Sequence, residues 1–526
     1  MTQDSTATPK CLHGSLEYWA ERTPDAPALA EGERRLSYAQ WNAQADALAE
    51  LLAERAGVGP NDRVALCMQN RIEWFVTQAA AAKLGALLVP ISFRLTASEI
   101  HYIAADSGAL AFLTDNEQVD SLARVWTDEP KTDRTSQVRV AVSVMRSARS
   151  DVLSFQSLVN QAARERRLAS RPPRSIVYTS GTTGRPRGVV HGRPKQAPPA
   201  MREKERQEHM ARLPDLVRNL LGAPLNHAAG QASARATHWL GGCVYIMPRF
   251  DPREALAIIS REQITTTFMV PTMLNRIVSL PDDVLSQYSV ASIKLLTTGA
   301  SPCPQSIKER VISYFGPECL IESYGTTEVG IIARMRPQDH LEKPGACGRL
   351  IDGVEVEIRD AGNVLPQGEL GEIWVRTPVM IETYLNEAPP KELVNGFFAT
   401  GDVGRFDADG FLYVVDRKKD MIIAGGVNIY PAEIEDALRR HPAVLDVAVF
   451  GVPNLEWGEE VRAAVELNEA ARVSEPELLT FLEAHLASYK RPRAIDFVRE
   501  IPRNPAGKIL KNELRAPFWA STGKSI

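Results

Sequence analysis

Residues 178–189 read Tyr-Thr-Ser-Gly-Thr-Thr-Gly-Arg-Pro-Arg-Gly-Val, a hydroxyl- and glycine-rich run behind a short extended stretch at 176–178. Small residues let backbone N–H groups approach an anion closely, and hydroxyls add donors, so the segment suits phosphate. It lacks the GxxxxGK[ST] spacing of a Walker loop, which argues against an ordinary kinase-type site. The bland alternative is a surface loop, and Arg187 beside the glycines weighs against it. Asp402 has a carboxylate able to accept two hydroxyl hydrogens, yet an isolated Gly-Asp pair is more often a plain turn. Lys508, in Pro505-Ala506-Gly507-Lys508, would alone be read as a solvated charge near the chain end. Arg417 and Lys419, in Arg417-Lys418-Lys419-Asp420, would alone be a solvated hairpin, and His227 a structural or surface histidine.

Elements that could hold these groups alternate along the first 170 residues. A helix is expected around Trp74, Phe75, Val76, Ala79 and Leu84, with one apolar face. Strands are expected at 62–66, at 86–91 with Pro90 ending it, and at 110–113. The alternation predicts an α/β sheet layered with helices. From about Gly353 the rhythm changes. Val354, Val356 and Ile358 alternate with polar residues, as do 371–376, and Asp407-Ala408-Asp409-Gly410 reads as a hairpin turn, so antiparallel strands follow. Pro431 opens a helix, 447–450 forms a strand, and Ser474 with Glu477 makes a capping box. A boundary near Asp416 gives a body over 1–416 and a lobe over 417–526.

The 526 residues are several times the ~150 of a typical domain, in line with more than one folding unit. A composition 44% hydrophobic and 24% charged is that of a globular chain. With 61 basic and 65 acidic residues the net charge is −4, which disfavours a strongly basic nucleic-acid surface. Six cysteines without CxxC spacing give neither a zinc site nor a dense disulfide framework, so a reducing, cytoplasmic setting is expected. The N-terminus, MTQDSTATPK, lacks a signal-peptide layout. Apolar stretches such as 84–91 fall well short of the ~20 residues that cross a bilayer.

The run at 178–189 resembles the phosphate-binding loop of the adenylate-forming superfamily, which includes acyl-CoA synthetases, luciferases and peptide-synthetase adenylation domains. Further matches follow in the family's order: Tyr324-Gly325-Thr326-Thr327-Glu328, Ala399-Thr400-Gly401-Asp402, Asp416-Arg417, Gly425-Gly426 and Asn504-Pro505-Ala506-Gly507-Lys508. The resemblance spans nearly the whole chain. It implies an α/β fold: a large N-terminal domain of layered sheets with a β-barrel-like subdomain, and a small mobile α+β C-terminal domain.

The implied reaction explains these residue types. A carboxylate resists nucleophilic attack because it is an anion with a poor leaving group. Transfer to the α-phosphate of ATP makes an acyl-adenylate and releases pyrophosphate. Anionic oxygens meet in that step, so positive charge and Mg²⁺ are required. The resemblance assigns ATP to Thr179, Ser180, Gly181, Thr182, Thr183, Gly184 and Arg187, and to Gly299, Ala300, Ser301, Tyr324, Gly325 and Thr326. Tyr324 would stack on adenine, Thr327 contact the α-phosphate, and Glu328 hold Mg²⁺. Asp402 and Arg417 would take the ribose. Lys508 would bridge carboxylate and phosphate, reversing its isolated reading. Lys419 matches the hinge about which the family rotates its small lobe, retracting the lysine and presenting Gly425-Gly426 to a narrow pantetheine tunnel.

Thioester formation implies CoA, and Arg94, Trp457, Tyr489, Arg491 and Arg493, with Lys490 alongside, resemble CoA contacts of the family's aryl-CoA ligases, their forks suited to phosphate and their rings to stacking. The resemblance places His227 at an aromatic gate beside the acyl group and implies that Ala228, Ala232 and Ser233 line the acyl pocket with Gly299, Gly325 and Ile332. The chain departs from the family at Arg187, where lysine is usual, and at Asn226, where a bulky apolar residue is commoner. The expected function is an acid–CoA ligase acting on an aromatic or medium-chain aliphatic acid. The alternatives are an acyl-AMP ligase loading a separate carrier protein and a non-catalytic nucleotide-binding regulator. Expected partners are the acid, ATP and CoA, without nucleic acid or membrane span, and a homodimer is compatible.

Overall fold

A computed structural model describes residues 13–115, 137–147, 149–161, 163–164, 172–180, 186–191, 216–468, 471–503 and 508–520. Two compact units divide the chain: residues 1–269 with 280–297 and 381–390, and residues 270–279 with 298–380 and 391–526.

The first unit carries the α/β layers. One all-parallel sheet runs in the order Val152–Ser154, Val140–Ser143, Ala111–Thr114, Arg63–Cys67, Leu87–Ile91, Arg174–Ser175. A second places Cys243–Ile246 parallel to both Pro27–Glu31 and Arg218–Leu221, with Thr266–Phe268 beyond. The expected helix is Ile72–Lys83, but its apolar surface is not confined to one face. Trp74, Phe75, Val76 and Ala79 to Ala82 are all buried, the pattern of a helix packed on every side.

Pro90 does not end its strand; it lies inside Leu87–Ile91, opposite Leu66. Leu88 O accepts the Ile176 N–H at 2.9 Å, so by alternation the backbone of Pro90 faces the same side. There the neighbouring strand ends at Ser175, and a missing N–H breaks no ladder.

In the second unit the strands expected after Gly353 form a six-stranded antiparallel sheet, in which Gly371–Arg376 lies between Glu355–Asp360 and Phe397–Phe406. Residues 407–410 turn the chain from Phe397–Phe406 into Leu412–Arg417. Another sheet, built on the long hairpin Val444–Asn454 and Gly458–Leu467, packs against the helices Pro431–Arg439 and Glu475–Glu483. Ile434, Leu438, Val447, Val465, Leu478 and Leu482 form that core, each burial of this kind contributing about 1.5–3 kcal/mol. The expected capping box is present: Glu477 accepts from the Ser474 N–H at 2.7 Å and its hydroxyl at 2.6 Å.

Candidate active site

Thr179 and Arg187 face each other on the antiparallel strands Val177–Ser180 and Pro186–His191 of the first unit. Gly181, Thr182, Thr183 and Gly184 lie outside the described residues, as does the side chain of Ser180. The strand pair is pinned on both arms. Tyr178 Oη donates to Asp106 Oδ2 at 2.6 Å, and burial together with that carboxylate raises the phenol's pKa. Arg187 forms a bidentate pair with Glu387, Nε to Oε1 at 3.0 Å and Nη2 to Oε2 at 2.5 Å. Its guanidinium carbon lies 3.5 Å from the centre of the Tyr384 ring. Asp106 and Glu387 escape a reading of the sequence; Glu387 is 200 positions from Arg187.

His227 precedes the helix Ala228–Trp239 and is half-buried. Burial, then the charge of Arg94, holds its imidazole down to about 4, so it is neutral at ordinary pH. Asn226 Nδ2 lies 3.1 Å from His227 Nε2, which leaves the ring proton on Nδ1 when the amide donates. The unusual Asn226 thus contacts the ring of the expected gate directly. Ala228, Ala232 and Arg235 are exposed on the helix. Ser233 Oγ accepts from Asn219 Nδ2 at 2.8 Å, while Asn219 Oδ1 is buried with no partner among the described residues. The exposed Arg94 and His227 therefore share one neighbourhood.

In the second unit, Leu320–Thr326 pairs with Gly330–Met335, and the register shifts between Tyr324 and Gly325. A Cβ on Gly325 would stand 2.2 Å from Gly330 O, so the approach of the two strands admits glycine alone. Thr327 and Glu328 lie in the turn between these strands. Thr298 Oγ1 and Thr326 Oγ1 are buried and have no hydrogen-bond partner among the described residues. Between them in sequence, Ala300 holds a left-handed φ of 68°, strain of the kind that clusters at functional sites. Gly299 and Ser301 flank it. Ile332 is fully buried, and its carbonyl accepts the Ile351 N–H at 3.1 Å.

Asp402 and Arg417 are partners across the strands Phe397–Phe406 and Leu412–Arg417. Asp402 accepts from Tyr324 Oη at 2.6 Å and pairs with Arg417 Nε at 3.3 Å. Burial and the Asp402 charge raise the Tyr324 pKa, keeping the phenol a donor. Lys508 follows a segment, Asn504 to Gly507, outside the described residues. Arg503 bridges Ile509, and the Leu510 N–H donates to Pro502 O at 2.8 Å, closing the loop that carries it. Burial, then the charges of Arg417 and Lys419 against those of Asp402 and Asp420, brings the Lys508 ammonium down to about 7. Tyr324, Asp402, Arg417 and Lys508 thus form one electrostatic cluster.

Lys419 is exposed in the turn after Arg417. Gly425 and Gly426, at φ 58° and 79°, make the two-residue turn between Ile422–Ala424 and Val427–Ile429. A Cβ on Gly425 would meet the Trp457 ring at 2.7 Å, whereas one on Gly426 would meet open space. Trp457 and Tyr489 are each half-exposed, and Arg493 is exposed. Arg491 pairs with Glu483 at 2.9 Å and Lys490 with Glu433 at 2.7 Å, which engages two of the cations expected at CoA.

Among the described residues no group of three or more His, Cys, Asp or Glu side chains could hold a metal alone. One carboxylate at Glu328 beside hydroxyls fits Mg²⁺, which takes few protein ligands and completes its shell with phosphates and water. The five described cysteines are free; Cys11 lies outside the described residues. No described helix is long and apolar enough to cross a membrane.

A tyrosine-buttressed aspartate with a partner arginine, a desolvated lysine in the same unit and, in the other unit, the strand pair bearing Thr179 and Arg187 are the features of an adenylate-forming class of enzyme. The family model for AMP-binding enzymes matches residues 16–385, and that for the AMP-binding enzyme C-terminal domain matches residues 433–508. The chain belongs to the AMP-binding enzyme family. It is 33% identical over 506 residues to the long-chain-fatty-acid–CoA ligase FadD13 of Mycobacterium tuberculosis, covering 93% of this chain and 94% of that one. It is 32% identical over 525 residues to the fatty acid–[acyl-carrier-protein] ligase ScoC of Streptomyces coeruleorubidus, covering 97% of each. Among solved structures it resembles the o-succinylbenzoate CoA synthetase MenE of Bacillus subtilis in complex with its acyl-adenylate intermediate. That match has a TM-score of 0.78 at 29% identity and covers 95% of this chain and 97% of the other.

Proposed function

We propose that the protein is an AMP-forming acid–CoA ligase. The observation that carries this reading is the cluster in which Asp402 accepts from Tyr324 Oη at 2.6 Å and pairs with Arg417 Nε at 3.3 Å, with Lys508 within reach of the charges of both Asp402 and Arg417. A desolvated ammonium acts strongly on nearby negative charge. In the first step a carboxylate oxygen bonds to the α-phosphorus of ATP, and the bond to pyrophosphate breaks. Lys508 offsets the charge on the carboxylate and α-phosphate, Thr327 donates to the phosphate, Asp402 and Arg417 hold the ribose, and Tyr324 flanks adenine. Glu328 would hold Mg²⁺, which when bound would supply further positive charge at the phosphates. In the second step the CoA sulfur bonds to the acyl carbon, AMP leaves with the bonding pair, and the thiol proton passes to solvent.

The lobe beginning at residue 417 turns about Lys419 between the steps, exchanging Lys508 for the turn at Gly425-Gly426. The neutral His227 shields the acyl group, and the exposed Ala228 and Ala232 leave room for an aryl or medium-chain acid. Arg94, Trp457, Tyr489 and Arg493 serve CoA. Retention of Glu328, Asp402, Arg417 and Lys508 together opposes a non-catalytic regulator. The free cysteines are in keeping with a cytoplasmic location.

A pyrophosphate-release screen across aryl, fatty and dicarboxylic acids, with and without CoA, tests the reading. Acid-dependent release coupled to thioester formation is expected. Release without any CoA thioester would instead support transfer to a carrier protein, an activity carried by ScoC's name. No ATP consumption with any acid would remove the ligase reading.

A further inference from the structure

The helix Pro431–Arg439 begins without help from its own N-cap residue, Tyr430, whose side chain makes no capping bond. Pro431 has no N–H, so the Ala432 N–H is the helix's first donor. It is satisfied from 16 residues away: Asp416 Oδ2 accepts it at 3.0 Å, while Oδ1 accepts the Arg417 N–H at 2.7 Å. Asp416 belongs to the strand Leu412–Arg417, paired with Val403, and the helix belongs to the lobe beyond Lys419. The capping bond therefore spans the expected hinge.

The capped helix is tied to the loop of Lys508 at both of that loop's ends. Glu435 pairs with Lys511 Nζ at 2.8 Å and also accepts the Val449 N–H at 2.8 Å. Arg439 pairs with Asp446 at 3.3 Å, and Asp446 also binds Arg503. Arg503 and Lys511 flank Lys508 in the chain, so the helix is tied to described residues on both sides of that lysine. A carboxylate at a helix N-terminus gains from both the hydrogen bond and the dipole.

We propose that Asp416 is a positioning residue for acid activation: it caps the helix Pro431–Arg439 only in the pose that sets Lys508 beside Asp402 and Arg417. Rotation about Lys419 carries Ala432 away and breaks the cap, so its formation biases the lobe toward the first half-reaction. The inference rests on the two-step ligase reading.

The test measures the half-reactions separately in Asp416→Ala and Asp416→Asn, using acid-dependent pyrophosphate release and thioester formation from a supplied acyl-adenylate with CoA. The ratio of first to second rate should fall about tenfold in the alanine variant, the effect of losing one helix cap. Asparagine, which still offers an oxygen to Ala432, should give a smaller fall. Equal loss of both half-reactions, or no loss of either, would overturn the proposal. Should the alanine variant fail to fold, the asparagine variant decides by the same ratio. Hydrogen exchange of a peptide containing Ala432 reads the cap without any catalysis. It should speed up in the variants, and unchanged exchange would overturn the cap even if the wild type activates no acid. That last outcome would remove the ligase reading separately.

Discussion

Tyr324 donates its phenolic hydrogen to Asp402 at 2.6 Å, tying the residue expected at adenine to the one expected at ribose. The two come from strands 78 positions apart and share no sequence motif. The bond fixes the carboxylate before a nucleotide arrives, and hydrogen bonds to charged groups contribute about 1.5–3 kcal/mol. Tyr324→Phe keeps the ring and loses the hydroxyl that makes this bond and also contacts Thr400. It should raise the KM for ATP roughly tenfold with little change in kcat. Steady-state kinetics at saturating acid and CoA would show it; an unchanged KM would mean the contact does not orient Asp402.

His227 is held at about 4, below the ordinary 6.5, by burial and the Arg94 charge. Its charged form is therefore absent above about pH 5, and no rate inflection in the pH 6–8 range should belong to it. His227→Phe, a neutral ring of similar shape, should keep a substantial part of acid activation with the same pH profile. Loss of an inflection near pH 6.5 in the variant would instead make the imidazole a proton carrier.

Glu387 holds Arg187 in a bidentate pair at 2.5–3.0 Å. If Arg187 serves the phosphates, Glu387 competes with them. Glu387→Gln should then lower the KM for ATP severalfold while kcat stays within about twofold. A rise in KM would show that the pair holds the arginine in place for its ligand.

Local pattern and shared motifs made much of this molecule legible. Alternation located 371–376 as a strand to the residue, and Ser474 with Glu477 announced a helix start. What failed depended on neighbours distant in sequence. Pro90 stays inside its strand because the flanking strand stops at Ser175. The helix at 72–83 is buried all round because other layers cover it, and a 3.6-residue period cannot report how many do. At the candidate site, motif resemblance singles out Tyr324, Asp402, Arg417 and Lys508. Their mutual contacts, and the roles of Asp106, Asp416 and Glu387, arise from pairings that an isolated acidic residue does not signal.

Gly425 and Gly426 share a left-handed turn but face different surroundings. A side chain on Gly425 strikes Trp457, and one on Gly426 meets open space. Gly425→Ala should therefore shift Trp457 fluorescence, while Gly426→Val should leave acid activation nearly intact and slow thioester formation by about an order of magnitude or more. Equal rates of CoA acylation in wild type and Gly426→Val would remove this turn from the thiol path.

Lys508 carries the account. Folding lowers its pKa from 10.5 to about 7, so the unfolded chain binds more protons between those values and this lysine costs stability as pH falls through that range. Lys508→Ala should accordingly leave the melting temperature unchanged or raised at pH 7.5. The decisive measurement is the pair of half-reactions in that variant. Acid-dependent pyrophosphate release should fall by about 100-fold or more, the scale of a lost charge-stabilising group, while a supplied acyl-adenylate is still converted to the CoA thioester at near wild-type rate. Equal loss of both steps, or release that persists without the amine, would contradict it.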